Sequence, residues 1–214
     1  MLEAPVNTLL LATSNPHKVK EVASTLAPLG WHICTLQDVA NGRPLPEEPV
    51  EDAPDFEGNA AIKAKAYAAW SGLPTLADDS GLVVDALDGA PGVHSARWSG
   101  VDGDRATRDA ANNKKLVQAI EPIPQEKRSA RFVCVLCLAE PDGLIRHVAR
   151  GTMEGHITSD PRGKNGFGYD PHLMLPDGRT SAELSPEEKN DRSHRGQACR
   201  ALAFTLGQPD TPQV

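Results

Sequence analysis

Apolar residues first gather at Thr8 to Ala12, a run with the length of a buried strand, and recur with helical spacing from Val19 to Leu29. Trp31 to Thr35 reads as a second strand, so the chain opens in an α/β order. Gln37 to Pro54 is rich in Pro and Glu without periodicity, which predicts a long surface loop. Phe56 to Ser71 is an Ala-rich helix closed by Gly72. Its expected apolar stripe is Ile62, Ala66, Ala69 and Trp70, with Asn59, Lys63 and Lys65 largely outside it. Pro74 to Ala77 predicts a short strand that ends in a loop at Asp78-Asp79-Ser80-Gly81, after which Leu82 to Leu87 is extended and Asp88 to Gly103 is a Gly-rich connection.

Arg105 to Ile120 has helical spacing through Ala106, Ala110, Leu116, Val117 and Ile120, and Pro122 and Pro124 stop it. Arg131 to Ala139 and Leu144 to Gly151 are strands joined at Pro141-Asp142-Gly143, an antiparallel hairpin that makes the sheet mixed. Ser185-Pro186-Glu187-Glu188 is a capping box with proline at the first helical position. Gln197 to Leu206 is the last helix, and Gly207 to Val214 reads as a frayed polar tail.

Composition narrows the class. A chain of 214 residues with 39% apolar content and no internal repeat or shift in composition predicts one domain spanning 1–214. Lys and Arg number 22 against 29 Asp and Glu, and the formal charge of -7 argues against general affinity for nucleic acid or an anionic membrane. Neither the stretch before Thr8 nor the short apolar run after it suits a signal peptide or a membrane span, so a cytoplasmic protein is expected. Cys34, Cys134, Cys137 and Cys199 are scattered. The C-x-x-C pair lies in an expected strand, where residues three apart face opposite ways, so all four read as reduced thiols.

Four stretches could carry chemistry. Asp78 and Asp79 repel one another, and withdrawing both from water calls for a cation beside them, with oxygen donors of this kind suiting Mg²⁺ or Mn²⁺; a solvated turn is the alternative. Thr13-Ser14-Asn15-Pro16-His17-Lys18 joins a strand to a helix and gathers polar groups at a positive helix end, as phosphate requires, although capping alone also explains it. It lacks the Walker A spacing, and so does Gly163-Lys164, which Asn165 follows. Gly166-Phe167-Gly168-Tyr169-Asp170 offers a ring between glycines, either a stacking face for a base or a bulged turn feeding the core. Ser193-His194-Arg195 supplies donors for a base edge or a phosphate, unless it faces solvent. No Gly-x-Ser-x-Gly elbow is present.

Taken in order, Leu11 to Lys18, Phe56 to Ala64, Ala77 to Leu82, Gly89-Ala90-Pro91-Gly92, Gly166 to Pro171 and Glu188-Lys189 with Ser193 to Gly196 resemble the inosine triphosphate pyrophosphatase family over nearly the whole chain. The resemblance implies an elongated mixed sheet flanked by helices, two lobes around a substrate cleft, a homodimer, Mg²⁺ dependence and hydrolysis of ITP, dITP and XTP. It places Thr13, Ser14, Asn15, Pro16, His17, Lys18 and Lys63 at the phosphates, Ser80 on the substrate, Phe167, Gly168, Tyr169 and Asp170 at base and sugar, and Lys189, His194 and Arg195 at the base edge. Asp79 becomes metal ligand and proton acceptor, with Asp78 the other candidate for the proton. Glu51 becomes the second metal ligand, with Glu48 the fallback. Ser14 stands where the family usually has glycine, which predicts an unusual backbone angle there; Pro16 and His17 stiffen the turn, and Gly58 replaces an acid whose part Glu57 could take. Two rival readings remain: a pyrophosphatase of other base specificity, and a nucleotide-binding sensor without turnover.

Overall fold

The computed structural model describes residues 7–207, with the side chains of Pro16 and His17 left aside; the expected polar tail beyond Gly207 lies outside the described residues. Strand β1 (Thr8–Leu11) is buried at every position, as a strand covered on both faces must be. It pairs in parallel with β2 (His32–Thr35), setting Leu10 opposite Cys34, and with β3 (Thr75–Val84), setting Leu10 opposite Thr75. The sheet continues through β4 (Ser129–Ala139) and β5 (Ile145–Ile157) to β6 (Leu173–Met174), in the six-stranded order β2-β1-β3-β4-β5-β6. Since β5 and β6 run antiparallel, the sheet is mixed, as expected.

Helices α1 (Pro16–Leu26), α2 (Leu36–Ala40), α3 (Phe56–Ser71), α4 (Arg105–Ile120), α5 (Pro186–Arg192) and α6 (His194–Leu206) complete the α/β order. α3 has the expected bounds, begun by Asp55, whose carboxylate accepts the Gly58 N–H at 2.7 Å, and ended by Gly72 at φ 69°. α5 starts on the expected capping box between Ser185 and Glu188.

Four expectations need correction. The expected loop from Gln37 begins inside α2, which is started by a capping box in which Thr35 and Asp38 satisfy one another. α1 begins at Pro16 rather than Val19, because proline suits the first helical position, and so Lys18 lies in the first turn. β3 does not stop at Ala77 but carries Asp78 through Val84 as one strand, and 3₁₀ turns at Asp85–Leu87 and Gly92–His94 follow. The buried face of α3 holds Phe56, Asn59, Ala60, Ala64, Tyr67 and Ala68, whereas Ala66 and Ala69 are exposed. A helix that is apolar nearly all round gives its pattern no direction.

The chain forms two compact units, each discontinuous in sequence: residues 1–79, 134–151 and 195–214, and residues 80–133 and 152–194. The core of the first joins Leu9, Leu11, Val22, Leu26, Leu76, Cys134, Leu136 and Leu202. That of the second joins Leu82, Val84, Leu116, Ile120, Phe132, Ile157, Tyr169 and Leu173. Cys134, Cys137 and Cys199 are buried, Cys34 is half-buried, and all four are free thiols.

Candidate active site

In the first unit the two aspartates of β3, being adjacent on a strand, point to opposite faces and meet different partners. Asp78 accepts from Lys18 of α1, whose Nζ lies 2.8 Å from Oδ2 and 2.9 Å from Oδ1. The buried Arg195 guanidinium comes within 3.6 Å of the same carboxylate and donates to Glu21, one helical turn beyond Lys18, at 2.9 Å. Burial alone would push the Asp78 carboxyl up, yet Lys18, Arg195 and Lys63 together hold it well below the usual carboxylate range.

Asp79 faces α3. Asn59 Nδ2 donates to Oδ2 at 3.2 Å, and Lys63 Nζ, one turn on, stands 3.9 Å from Oδ1 and 3.0 Å from Glu51 Oε1. Burial raises the Asp79 carboxyl above its ordinary value, and Glu51 and Asp78 raise it further, so that Lys63 and Asn59 offset the rise only in part. One strand position thus separates a carboxyl held below its ordinary value from one held above it. Glu51 is the acid joined to Lys63; Glu48 and Glu57 are exposed. Gly58 has a structural reason, since a Cβ there would run into the side chain of Ala53.

Ahead of α1, Thr13 Oγ1 accepts the Asn15 N–H at 3.1 Å, and the Asn15 carbonyl receives Val19 N–H at 3.2 Å. Ser14 is exposed and is not among the residues of positive φ, contrary to the backbone angle expected of it. Pro16 and His17 belong to the first turn of α1.

The second unit builds a separate cluster around Phe167. The Arg105 guanidinium lies over its ring at 4.0 Å from the centroid, and Lys189 Nζ stands 5.6 Å from it. Asp170 is buried and accepts from Phe167 N–H and Ser181 Oγ, each at 2.7 Å, and from Lys189. Gly166 has φ 80°, and a Cβ on it would collide with Asp170 and Lys189, so glycine is required on both counts. The two rings of this segment differ: Phe167 is half-buried beside its cations, whereas Tyr169 enters the core, as the bulged-turn reading expects, and donates to the Ser95 carbonyl at 2.9 Å. Burial pushes the Tyr169 hydroxyl up. His194 stacks on Phe132 with centroids 5.1 Å apart, and Ser80 is half-buried on β3.

The site residues expected from the sequence therefore fall into two groups. Lys18, Glu51, Lys63, Asp79 and Arg195 belong to the first, where Arg195 lies at Asp78; Phe167, Gly168, Asp170 and Lys189 belong to the second. Sequence reasoning left four contributors out of the site: Asn59, Glu21, Arg105 and Asp109, the last accepting the Gly168 N–H at 2.9 Å. The i, i+4 spacing of Asn59 with Lys63 was the signal for the first.

Acids interleaved with lysines at the junction of a parallel strand and a helix mark an α/β protein with the means to receive an anionic ligand. Residues 9–205 match the Ham1 family, and the chain belongs to it. A dITP/XTP pyrophosphatase of Corynebacterium glutamicum is 46% identical over 209 residues, covering 94% of this chain and 97% of that protein. One from Thermus thermophilus is 48% identical over 204 residues, covering 94% and 93%. The solved HAM1 protein of Coxiella burnetii superposes with a TM-score of 0.84 at 40% identity, covering 94% of this chain and 98% of that one.

Proposed function

We propose that this chain is a nucleoside-triphosphate pyrophosphatase that hydrolyses deaminated purine nucleotides (ITP, dITP and XTP) to the monophosphate and pyrophosphate, clearing them from the cytoplasmic nucleotide pool as a homodimer. The observation that carries the reading is the placement of Asp78 between Lys18 and Arg195 and of Asp79 beside Glu51, Lys63 and Asn59, in a chain whose relatives bear the name dITP/XTP pyrophosphatase.

Asp79 takes the proton of the water that attacks the α-phosphorus, and Asp78 keeps Lys18 and Arg195 in place. Lys18, Lys63 and the Thr13 to Lys18 turn receive the phosphates. Asp79, buried, and Glu51, half-buried, are two carboxylates that share a single ammonium, oxygen donors of the kind that Mg²⁺ takes alongside retained waters. When bound, the ion neutralises charge on the phosphates. Phe167 offers the ring face for the base, while Lys189 and His194 donate to its edge. A 6-carbonyl accepts from such donors, whereas adenine's 6-amine meets donor with donor.

The test is pyrophosphate release from ITP, XTP, GTP and ATP in parallel with Mg²⁺, resolved from orthophosphate. Pyrophosphate from ITP and XTP with little from ATP or GTP is expected. Orthophosphate, or indifference to the base, overturns the reading.

A further inference from the structure

The residues of α4 divide into two rows. Asn112, Leu116 and Ile120 are buried and anchor the helix, whereas Arg105, Asp109 and Asn113, also spaced i, i+4 and i+8, meet the Phe167-Gly168 loop. Asp109 Oδ2 accepts the Gly168 N–H and Asn113 Nδ2 donates to the Gly168 carbonyl, each at 2.9 Å, so both polar groups of one residue are gripped by side chains one turn apart. Arg105, with Nε 3.8 Å from Asp109, lies over the Phe167 ring at 4.0 Å from its centroid, so the same row of α4 reaches the ring and the residue after it. Asn113 Oδ1 is buried without a hydrogen-bond partner among the described residues, a cost accepted so that its amino end reaches Gly168.

Resting on the function proposed above, we infer that Asp109 and Asn113 are positioning residues for base recognition: they fix Gly168, and through it the Phe167 ring, so base selectivity is set partly from α4. Neither takes part in the phosphate chemistry. Their loss therefore weakens binding of the preferred base and leaves turnover nearly intact.

The experiment measures kcat and KM for ITP and ATP on the full chain with Mg²⁺ for wild type, Asp109→Ala, Asp109→Asn and Asn113→Ala, with amide hydrogen exchange across residues 166–170. Asp109→Ala and Asn113→Ala should each raise the ITP KM roughly tenfold, lower the ITP-to-ATP ratio of kcat/KM and speed exchange at Gly168, with kcat within about threefold. Asp109→Asn, which keeps an acceptor oxygen, should rescue all three. A discriminating wild type whose variants keep the same KM and ratio, or lose kcat alike on both nucleotides, overturns this inference alone. A wild type without base preference overturns the proposed function and this inference with it.

Discussion

Lys18 Nζ lies 2.8 Å from Asp78 Oδ2, whereas Lys63 Nζ stands 3.9 Å from Asp79 Oδ1 and closer to Glu51 than to the aspartate. Two adjacent carboxylates are thereby given unlike surroundings by the alternation of a strand: the side of β3 facing α1 offers a direct ion pair, and the side facing α3 offers a shared one.

The two positions should respond oppositely to the same substitution. Asp79→Asn removes a proton acceptor and relieves like-charge crowding with Glu51, so activity should fall by ~10²-fold or more while Tm holds or rises. Asp78→Asn leaves Lys18 and the buried Arg195 short of their counter-charge and should cost about 3 kcal/mol of stability. Thermal melts beside single-turnover rates decide the point. Equal loss of activity with equal loss of Tm in both variants would sink the division of roles.

Asp78 also sets an acid limb. Its folded value is depressed, so its ion pairs contribute stability above the ordinary carboxylate value of about 3.9, and that contribution is lost as pH falls from there toward the folded value. The Tm gap between wild type and Asp78→Asn should thus be widest near neutrality and shrink below about pH 4. A gap unchanged across that window would mean that the pairs add nothing to Asp78.

The need for cations around Asp78 and Asp79 was legible from charge alone, and three cations are there. Their placement inside a strand was not, because Asp, Ser and Gly signal a turn until tertiary partners repay their burial. Phe56 to Ser71 was legible to the residue, but its inward face was hidden, since no alanine distinguishes inside from outside and the deciding residues are Asn59 and Lys63. The α4 hold on the Phe167-Gly168 loop was written as Arg105, Asp109 and Asn113 at a spacing of four. It went unread because the apolar positions of that helix were weighed and its polar row was not.

Mg²⁺ binding should be visible without turnover. An ion held by Glu51 and Asp79 stabilises the folded chain by mass action, about 2.7 kcal/mol at one hundred times its Kd. Titrating Mg²⁺ in the absence of nucleotide should therefore raise Tm in wild type, and Glu51→Gln should abolish most of the rise. If Glu48→Gln abolishes it and Glu51→Gln does not, the ligand has been misassigned.

Gly166 is where the ring cluster is most exposed to a small change. Alanine there adds a Cβ at φ 80°, costing roughly 1–2 kcal/mol in backbone strain, and drives it into Asp170 and Lys189, which would have to separate or shift. Asp170 also holds Phe167 N–H and Ser181, so the displacement should reach the ring and the lysine together. The expected outcome for Gly166→Ala is a lower Tm and an ITP KM raised well above that of Gly178→Ala, a control that carries similar strain at φ 81° with nothing near its Cβ. Matching KM values in the two variants would show that backbone strain alone, and not the Asp170–Lys189 contact, is what glycine protects at this position.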